Sequence, residues 1–410
     1  MPMALTIFMA RSTTVGGNIT KTGEGASMGG KILSGLVSAV LFACAAGAQD
    51  LAPLPPQPDG LAWPTAGWET GDLPAGSKAD IEALVAEAMN KTVTDVMGET
   101  RGLVIIWRGR LVAEAYGRHF TPETKQLSWS MAKSVTQALV GAAIEAGADI
   151  QLDAPMPTPF TPGSTEAAIT WRQWLNAVDG LDYHELDGDP DLTKNDVVQL
   201  MYGHGRFDAL AYVLRAFPLV HPPGTHWNYS TPTFHMIGHA LQVTLGTEGI
   251  PEETKAAFDR LLFARLGMNT VVEFDPAGTY LGGSLVWASA RDFAKFGYLY
   301  LRGGVWDGQR LLPEGWVDFA RAPGPAANTN VYGAGWWIIP PEGPLTHRQN
   351  ADSDPRDAFH AGGHEGQTIW VVPSRDLVIV RLGLMPNEGE NWPALYEWNQ
   401  RIARAFPPVE

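Results

Sequence analysis

The sequence predicts an α+β fold: strands from the two ends of the chain form an antiparallel sheet, terminal helices flank it, and a helical insert packs alongside. Three observations carry this expectation. Runs rich in β-branched and aromatic residues occur near the two ends, at 102–116 and 332–382. The stretch from Ser130 to about Ala320 reads as helices joined by long loops. Helical segments at 79–97 and 392–406 bracket the strands. Such a chain most simply builds a sheet covered by its own terminal helices.

The 410 residues suffice for a substantial core, and 45% hydrophobic with 18% charged residues suits a globular protein. A net charge of −15 without a basic tract argues against a nucleic-acid partner. There is one cysteine, Cys44, so an internal disulfide and a thiolate metal cluster are excluded. Lys31 precedes an apolar run, 32–45, and Ala46-Gly47-Ala48 offers a small-x-small cleavage site before Gln49. This is a secretory signal pattern, too short to span a membrane comfortably, and it predicts export to a periplasm. Residues 1–27 read as an upstream extension, with Met28 as the working start. Leu41-Phe42-Ala43-Cys44 also resembles a lipoprotein box, so a lipid anchor on Cys44 is the alternative. The expected organisation is a leader at 1–48, a Pro/Gly-rich linker at 49–77 and one domain at 78–407. Its sheet part covers about 78–117 and 325–407, and its helical part about 118–324.

In chain order, Ile81, Leu84, Val85, Ala88 and Met89 stripe a helix over 79–97. Two β-rich runs flank Arg108-Gly109-Arg110 and predict a hairpin. Met131, Val135, Ala138, Leu139 and Ala142 predict a helix from Ser130 to Gly147. Further helices are expected over 170–177, 195–202, 209–217 and 253–266. Thr231-Pro232 opens another, with Thr231 as N-cap and Pro232 at the first helical position. Ser289-Ala290-Arg291-Asp292 starts a helix running to Leu301, with Asp292 in the capping-box position. Strands are expected over 332–339, 368–372 and 377–382, with Pro373-Ser374-Arg375-Asp376 as the last turn.

Three stretches carry candidate chemistry. The first is Ser130-x-x-Lys133. Residues three apart on a helix share a face, so the two side chains can meet near the first turn. A serine hydroxyl is a weak nucleophile at neutral pH, and a desolvated, neutral lysine can take its proton. The second is Tyr229-Ser230-Thr231, on a loop before a helix, where a phenol beside a lysine can shuttle a proton. The third is Gly362-Gly363, at the edge of a strand, where backbone can approach a ligand closely. A backbone N–H there, together with that of Ser130, can hold an oxyanion. Gly203-His204-Gly205 is a further substrate-contact candidate.

Metal readings are weaker. His235/His239 and His360/His364 are each spaced by four, but neither pair has the intervening Glu of His-Glu-x-x-His. Asp187, Asp189 and Asp191 lack the downstream Glu of a calcium loop and read as a solvated acidic loop. No metal and no cofactor is implied.

In this order, Ser130-x-x-Lys133, Tyr229-x-Thr231 and the Gly362-Gly363 edge, the sequence resembles the serine β-lactamase and penicillin-binding superfamily. Within it, the sequence is most similar to the class C-like branch of esterases and 6-aminohexanoate-dimer hydrolases. Ser289-Ala290-Arg291-Asp292, Gly304-Val305-Trp306-Asp307-Gly308 and Gly363-His364-Glu365-Gly366-Gln367 also match. The resemblance covers roughly Gly102 to Leu382. It implies a five-stranded antiparallel sheet with flanking helices and an inserted all-helical domain. It implies Ser130 as nucleophile, Lys133 and Tyr229 as proton handlers, and the backbone N–H groups of Ser130 and His364 as the oxyanion hole. Thr231, Gly362 and Gly363 would then read the substrate, with His204, on its own loop, as the separate substrate-contact candidate. Two departures stand out. Lactamases carry Tyr-x-Asn where Thr231 stands here, and Lys-Thr-Gly where Ala361-Gly362-Gly363 stands. The implied function is a cofactor-independent serine hydrolase of a small ester or amide. A β-lactamase, a D-amino-acid peptidase on cell-wall-like substrates and a penicillin-recognising binder without turnover are the alternatives.

Overall fold

The computed structural model describes residues 51–185, 191–339, 354–386 and 388–409. The expected leader with Cys44, and Asp187 and Asp189 of the acidic loop, lie outside the described residues.

Residues 51–77 are extended and tied down along their length. Arg302 and Arg321 donate to the carbonyls of Pro55 and Ala52, Trp68 to Arg291 O, and Trp306 to the Thr65 hydroxyl. Helix α1 (Lys78–Met89) follows. It ends eight residues short of the expected Met97. Past Asn90 the β-branched Thr92-Val93-Thr94 are poor helix formers, and the Thr92 N–H and hydroxyl both bond the Asp95 carboxylate in a local turn. Strands β1 (Glu99–Trp107) and β2 (Arg110–Tyr116) form the expected hairpin. Its turn residues Arg108 and Gly109 both have positive φ, 49° and 75°, the two-residue geometry that matches strand twist.

Strand β3 (Gln126–Leu127) leads into α2 (Met131–Glu145). The helical middle continues with α3 (Trp171–Leu175), α4 (Asp196–Met201), α5 (Ala209–Ala216) and α6 (Thr231–Leu245). Helix α7 (Pro251–Phe258) runs through a π-helical turn, Asp259–Phe263, into α8 (Ala264–Leu266). Short strands β4 (Val271–Val272) and β5 (Val286–Ala288) join β3 in a small antiparallel sheet. Helix α9 (Ala290–Leu301) precedes the ribbon β6 (Val305–Trp306) and β7 (Gln309–Arg310), and α10 (Trp316–Arg321). The chain closes with β8 (Trp337–Ile338), β9 (Phe359–Gly363), β10 (Gln367–Val372), β11 (Leu377–Leu384) and α11 (Glu388–Ala405).

The main sheet is antiparallel, in the order β2-β1-β11-β10-β9-β8. The two ends of the chain therefore meet at the β1–β11 ladder, where Val104 pairs with Val380. The sheet has six strands where five were expected, because two-residue β8 extends the β9 edge. The predicted strand at 332–339 shrinks to β8 for a local reason. The chain folds back at Gly333-Ala334-Gly335, with Gly333 N–H bonded to Trp336 O, so that Tyr332 bridges Trp337.

Both faces of the sheet are covered, and that is why its strands read as continuous apolar runs. Val104, Ile106, Ile369, Val371, Val378 and Val380 face one core, shared with α2 and α9. Leu103, Ile105, Trp370, Val372, Leu377 and Ile379 face a second, closed by α1 and α11. Helix α2 is consequently buried nearly all round, and its N-terminus abuts β9. That junction positions the site.

Candidate active site

The approach to Ser130 is shaped by the turn between β3 and α2. Ser128 is locked to β5: its N–H bonds Val286 O, and its hydroxyl accepts the Val286 N–H. Trp129 then takes φ 46°, an unfavourable left-handed conformation for a bulky residue. The chain reverses there, and Ser130 becomes the residue that precedes the first turn of α2. Its hydroxyl makes no capping bond to the helix. It instead accepts from Lys133 Nζ at 2.9 Å. The expected Ser–Lys pair on one helix face is thus formed.

Lys133 is 1% exposed and anchored on three oxygens. Besides Ser130, Nζ donates to Thr231 Oγ1 at 2.8 Å and to Gly283 O at 2.9 Å. The face of the Tyr229 ring lies 4.7 Å from Nζ. Burial disfavours the ammonium and pushes the lysine down to about 8, while the Glu185 carboxylate, 4.0 Å away, opposes that shift. His235 of α6 is also buried and accepts the Gly283 N–H on Nδ1. Desolvation, and then the neighbouring Lys133 charge, drive it down to about 3, so it is neutral.

The Gly283 carbonyl reaches the lysine because a glycine stands there. A Cβ at 283 would lie 2.5 Å from Thr231 O, so α6 and the 281–285 segment can approach only without a side chain. Gly363 acts likewise at the end of β9. A Cβ there would sit 2.2 Å from Ser128 O and 3.3 Å from Met131 N, which presses the strand end against the first turn of α2. The next residue, His364, packs its ring edge-to-face on Trp129 at 5.2 Å. The expected oxyanion donors, the N–H groups of Ser130 and His364, therefore belong to segments in direct contact. Gly362 lies one residue back along the same strand, where a Cβ would meet the Trp337 ring at 3.3 Å.

Thr231 departs from its expected cap role. Ser230 is the N-cap: it is extended (φ −146°, ψ 119°), and its hydroxyl accepts the Thr233 N–H. Thr231 is the first helical residue, which frees its hydroxyl for the site. That hydroxyl is wholly buried, accepts from Lys133 and donates to Glu185 Oε1 at 2.6 Å. Asp292 departs similarly. Its N–H bonds the Ser289 cap, but its carboxylate accepts the Asn269 N–H and pairs with Lys295 at 3.3 Å instead of closing a capping box. His204 is exposed on a single 3-10 turn, His204–Phe207, and among the described residues no hydrogen bond or ion pair joins it to the site. His239 is mostly buried and faces Glu248 at 3.9 Å, and His360 stacks on Trp370 and bonds the Tyr396 hydroxyl at 2.7 Å. Among the described residues, no group of three or more His, Cys, Asp or Glu is placed to hold a metal ion.

Sequence reasoning missed Glu185. Its carboxylate takes both the hydroxyl and the N–H of Thr231, at 2.6 and 3.0 Å. Its segment is pinned beside the start of α6. Asp179 bonds the Thr233 hydroxyl and the Leu181 N–H, and Asn228 bonds Ala177 O through its N–H and Tyr183 O through its side chain. Glu185 lies 52 and 46 positions from its partners, on the border of a loop that reads as solvated, and no spacing rule couples them.

A family model described as Beta-lactamase matches residues 82–384. The 6-aminohexanoate-dimer hydrolase of Paenarthrobacter ureafaciens is 26% identical over 319 residues, covering 75% of this chain and 77% of that protein. Among solved structures, EstCE1, a hydrolase with promiscuous acyltransferase activity, superposes with a TM-score of 0.59 at 16% identity, over 80% of this chain and 97% of the other. A penicillin-binding protein homolog from Caulobacter crescentus gives 0.55 at 17% identity, over 82% and 97%. At those identities the superpositions speak for the fold.

Proposed function

The chain belongs to the beta-lactamase family and is a hydrolase, and from that premise we propose that it cleaves esters or linear amides through an acyl-enzyme on Ser130. One observation carries the reading: a buried lysine, depressed to about 8, stands 2.9 Å from a serine hydroxyl that caps nothing. Burial thus brings the neutral amine, the form able to act as base, within reach of neutral pH. Neutral Lys133 takes the Ser130 proton as Oγ bonds to the substrate carbonyl carbon. The tetrahedral oxyanion lies between the N–H groups of Ser130 and His364. Collapse breaks the bond to the leaving alkoxide or amine, which receives the proton from Lys133, with Tyr229 as relay. Water then attacks the acyl-serine through the same groups, and its proton returns to Ser130.

The preference for esters or linear amides rests on the third motif. Ala361, wholly buried in β9, stands where a dedicated lactamase places a lysine. No cation from that position is available to a β-lactam carboxylate, and a neutral acyl group needs none. The apolar run 32–45 and the Ala46-Gly47-Ala48 site support export, and among the described residues no helix is long and apolar enough to cross a membrane. The test is a substrate panel on purified protein: p-nitrophenyl butyrate, a 6-aminohexanoate dimer, nitrocefin and a D-Ala-D-Ala peptide. The ester or linear amide should turn over fastest, and Ser130→Ala should abolish that turnover. Preferred nitrocefin hydrolysis would overturn the substrate class, and wild-type rates in Ser130→Ala would overturn the nucleophile.

A further inference from the structure

Glu185 is the carboxylate that, among the described residues, comes within ion-pair reach of Lys133. We infer that Glu185 is a positioning residue which, through Thr231, fixes the direction in which Lys133 offers its lone pair to Ser130. This rests on the Ser130–Lys133 reading above and adds a third and fourth member to it.

The hydrogens of Thr231 and Lys133 fix that direction. A hydroxyl has one hydrogen, and that of Thr231 is given to Glu185 Oε1 at 2.6 Å. Toward Lys133 the Thr231 oxygen can therefore only accept. Gly283 O, the other fixed partner of Nζ, is a carbonyl and also only accepts. A neutral amine has two N–H bonds and one lone pair. With both N–H bonds directed at Thr231 and Gly283, the lone pair is left facing Ser130 Oγ at 2.9 Å. Without the carboxylate, the Thr231 hydrogen is free to turn toward the amine and compete with Ser130 for that lone pair.

The carboxylate is itself held at both oxygens. Oε2 accepts the Thr231 N–H at 3.0 Å, one of the donors that the first turn of a helix leaves without a helical partner. Negative charge is favoured there by the α6 dipole. The Glu185 side chain is 21% exposed while Lys133 is 1% exposed, so the pair spans the boundary between solvent and core. The titratable groups around the lysine come from three directions. Glu185 and Tyr183 lie on the loop before α4, Tyr229 precedes α6, and His235 stands on α6. His235 is held neutral, and burial with the Glu185 charge pushes the Tyr183 phenol far above its ordinary range. Neither changes charge as Lys133 titrates.

The experiment is the pH dependence of kcat/KM for p-nitrophenyl butyrate between pH 5 and 10, on the full chain and on four variants: Glu185→Gln, Glu185→Asp, Thr231→Val and Thr231→Ser. Glu185→Gln and Thr231→Val should each lose tenfold or more. In Glu185→Gln the acid limb should also move to lower pH by about one unit or more, because a charge that stabilises the ammonium has gone. In Thr231→Val the carboxylate remains, so the limb should stay near its wild-type place. Glu185→Asp and Thr231→Ser should recover most of the rate, and the double variant Glu185→Gln/Thr231→Val should be no worse than either single one. If Glu185→Gln does not fold by circular dichroism, the Thr231 pair decides alone: equal rates in Val and Ser overturn the inference. A wild-type profile in Glu185→Gln overturns it too. So does normal acylation with an accumulating acyl-enzyme, which would assign Glu185 to water activation. Activity in Ser130→Ala, by contrast, would overturn the serine reading underneath.

Discussion

Gly363→Ala tests whether the strand end is pressed on the start of α2, beside Ser130, as closely as the geometry states. The added Cβ would lie 2.2 Å from Ser128 O and 3.2 Å from Gln367 Cβ. Backbone dihedrals are no obstacle, since φ at Gly363 is −136°. The cost is therefore steric. Relief requires a separation of about 1 Å between β9 and the Ser128 turn, and neither gives easily. Ser128 is bonded to Val286 through both its N–H and its hydroxyl, and β9 is paired along its length with β10. Overpacking of this kind costs about 1–3 kcal/mol. The larger effect is on rate. A displacement of about 1 Å between nucleophile and oxyanion donor can cost on the order of 100-fold in kcat. The assays are kcat/KM on p-nitrophenyl butyrate and the urea unfolding midpoint. Gly362→Ala is the control for stability, because its Cβ would meet the Trp337 ring at 3.3 Å, a contact that a side chain can absorb. Wild-type activity and stability in Gly363→Ala would refute the close approach. Lost stability with full activity would detach this strand end from catalysis.

Three further outcomes follow from the same geometry. If neutral Lys133 is the base, as proposed, kcat/KM of the wild-type enzyme should rise with pH through about 8, because burial lowers the Lys133 pKa, and Lys133→Arg, which stays charged, should lose at least about 100-fold in acylation by stopped flow. Arg381 is buried and gives its guanidinium to the carbonyls of Met97, Glu99, Glu365 and Gly366. Arg381→Met should cost about 3 kcal/mol or more in denaturant unfolding and lower kcat by loosening the turn after His364. Ser230→Ala removes the true cap of α6 and should cost about 1 kcal/mol of stability, measured by the same unfolding.

What the sequence discloses here depends on whether the signal is local. Ser130 and Lys133 are three apart across the start of one helix, so their meeting is legible from spacing and is found at 2.9 Å. The β1–β2 hairpin is legible for the same reason, since its turn residues lie between its strands. Segments that end by competition are less so. Helix α1 stops where Thr92 and Asp95 bond each other, and Ser230 outcompetes Thr231 for the cap although both are good cap residues. Contacts that close over long separations are not legible. The Gly283 carbonyl and the Glu185 carboxylate reach Lys133 from 150 and 52 positions away, one as backbone and one from an unpatterned loop. The lysine's environment, which decides whether it can act as a base, is made of such contacts. The Ser130–Lys133 pair could be read from its neighbours in sequence, while the contacts that bury and hold the lysine had to be read in space.

Covalent labelling decides whether Ser130 is the nucleophile proposed above. An alkyl fluorophosphonate should inactivate the protein with one label per chain, and mass mapping should place that label on the peptide carrying Ser130 and leave Ser130→Ala unmodified. Inactivation with the label on another residue, or full turnover by a chain quantitatively labelled at Ser130, would contradict that assignment.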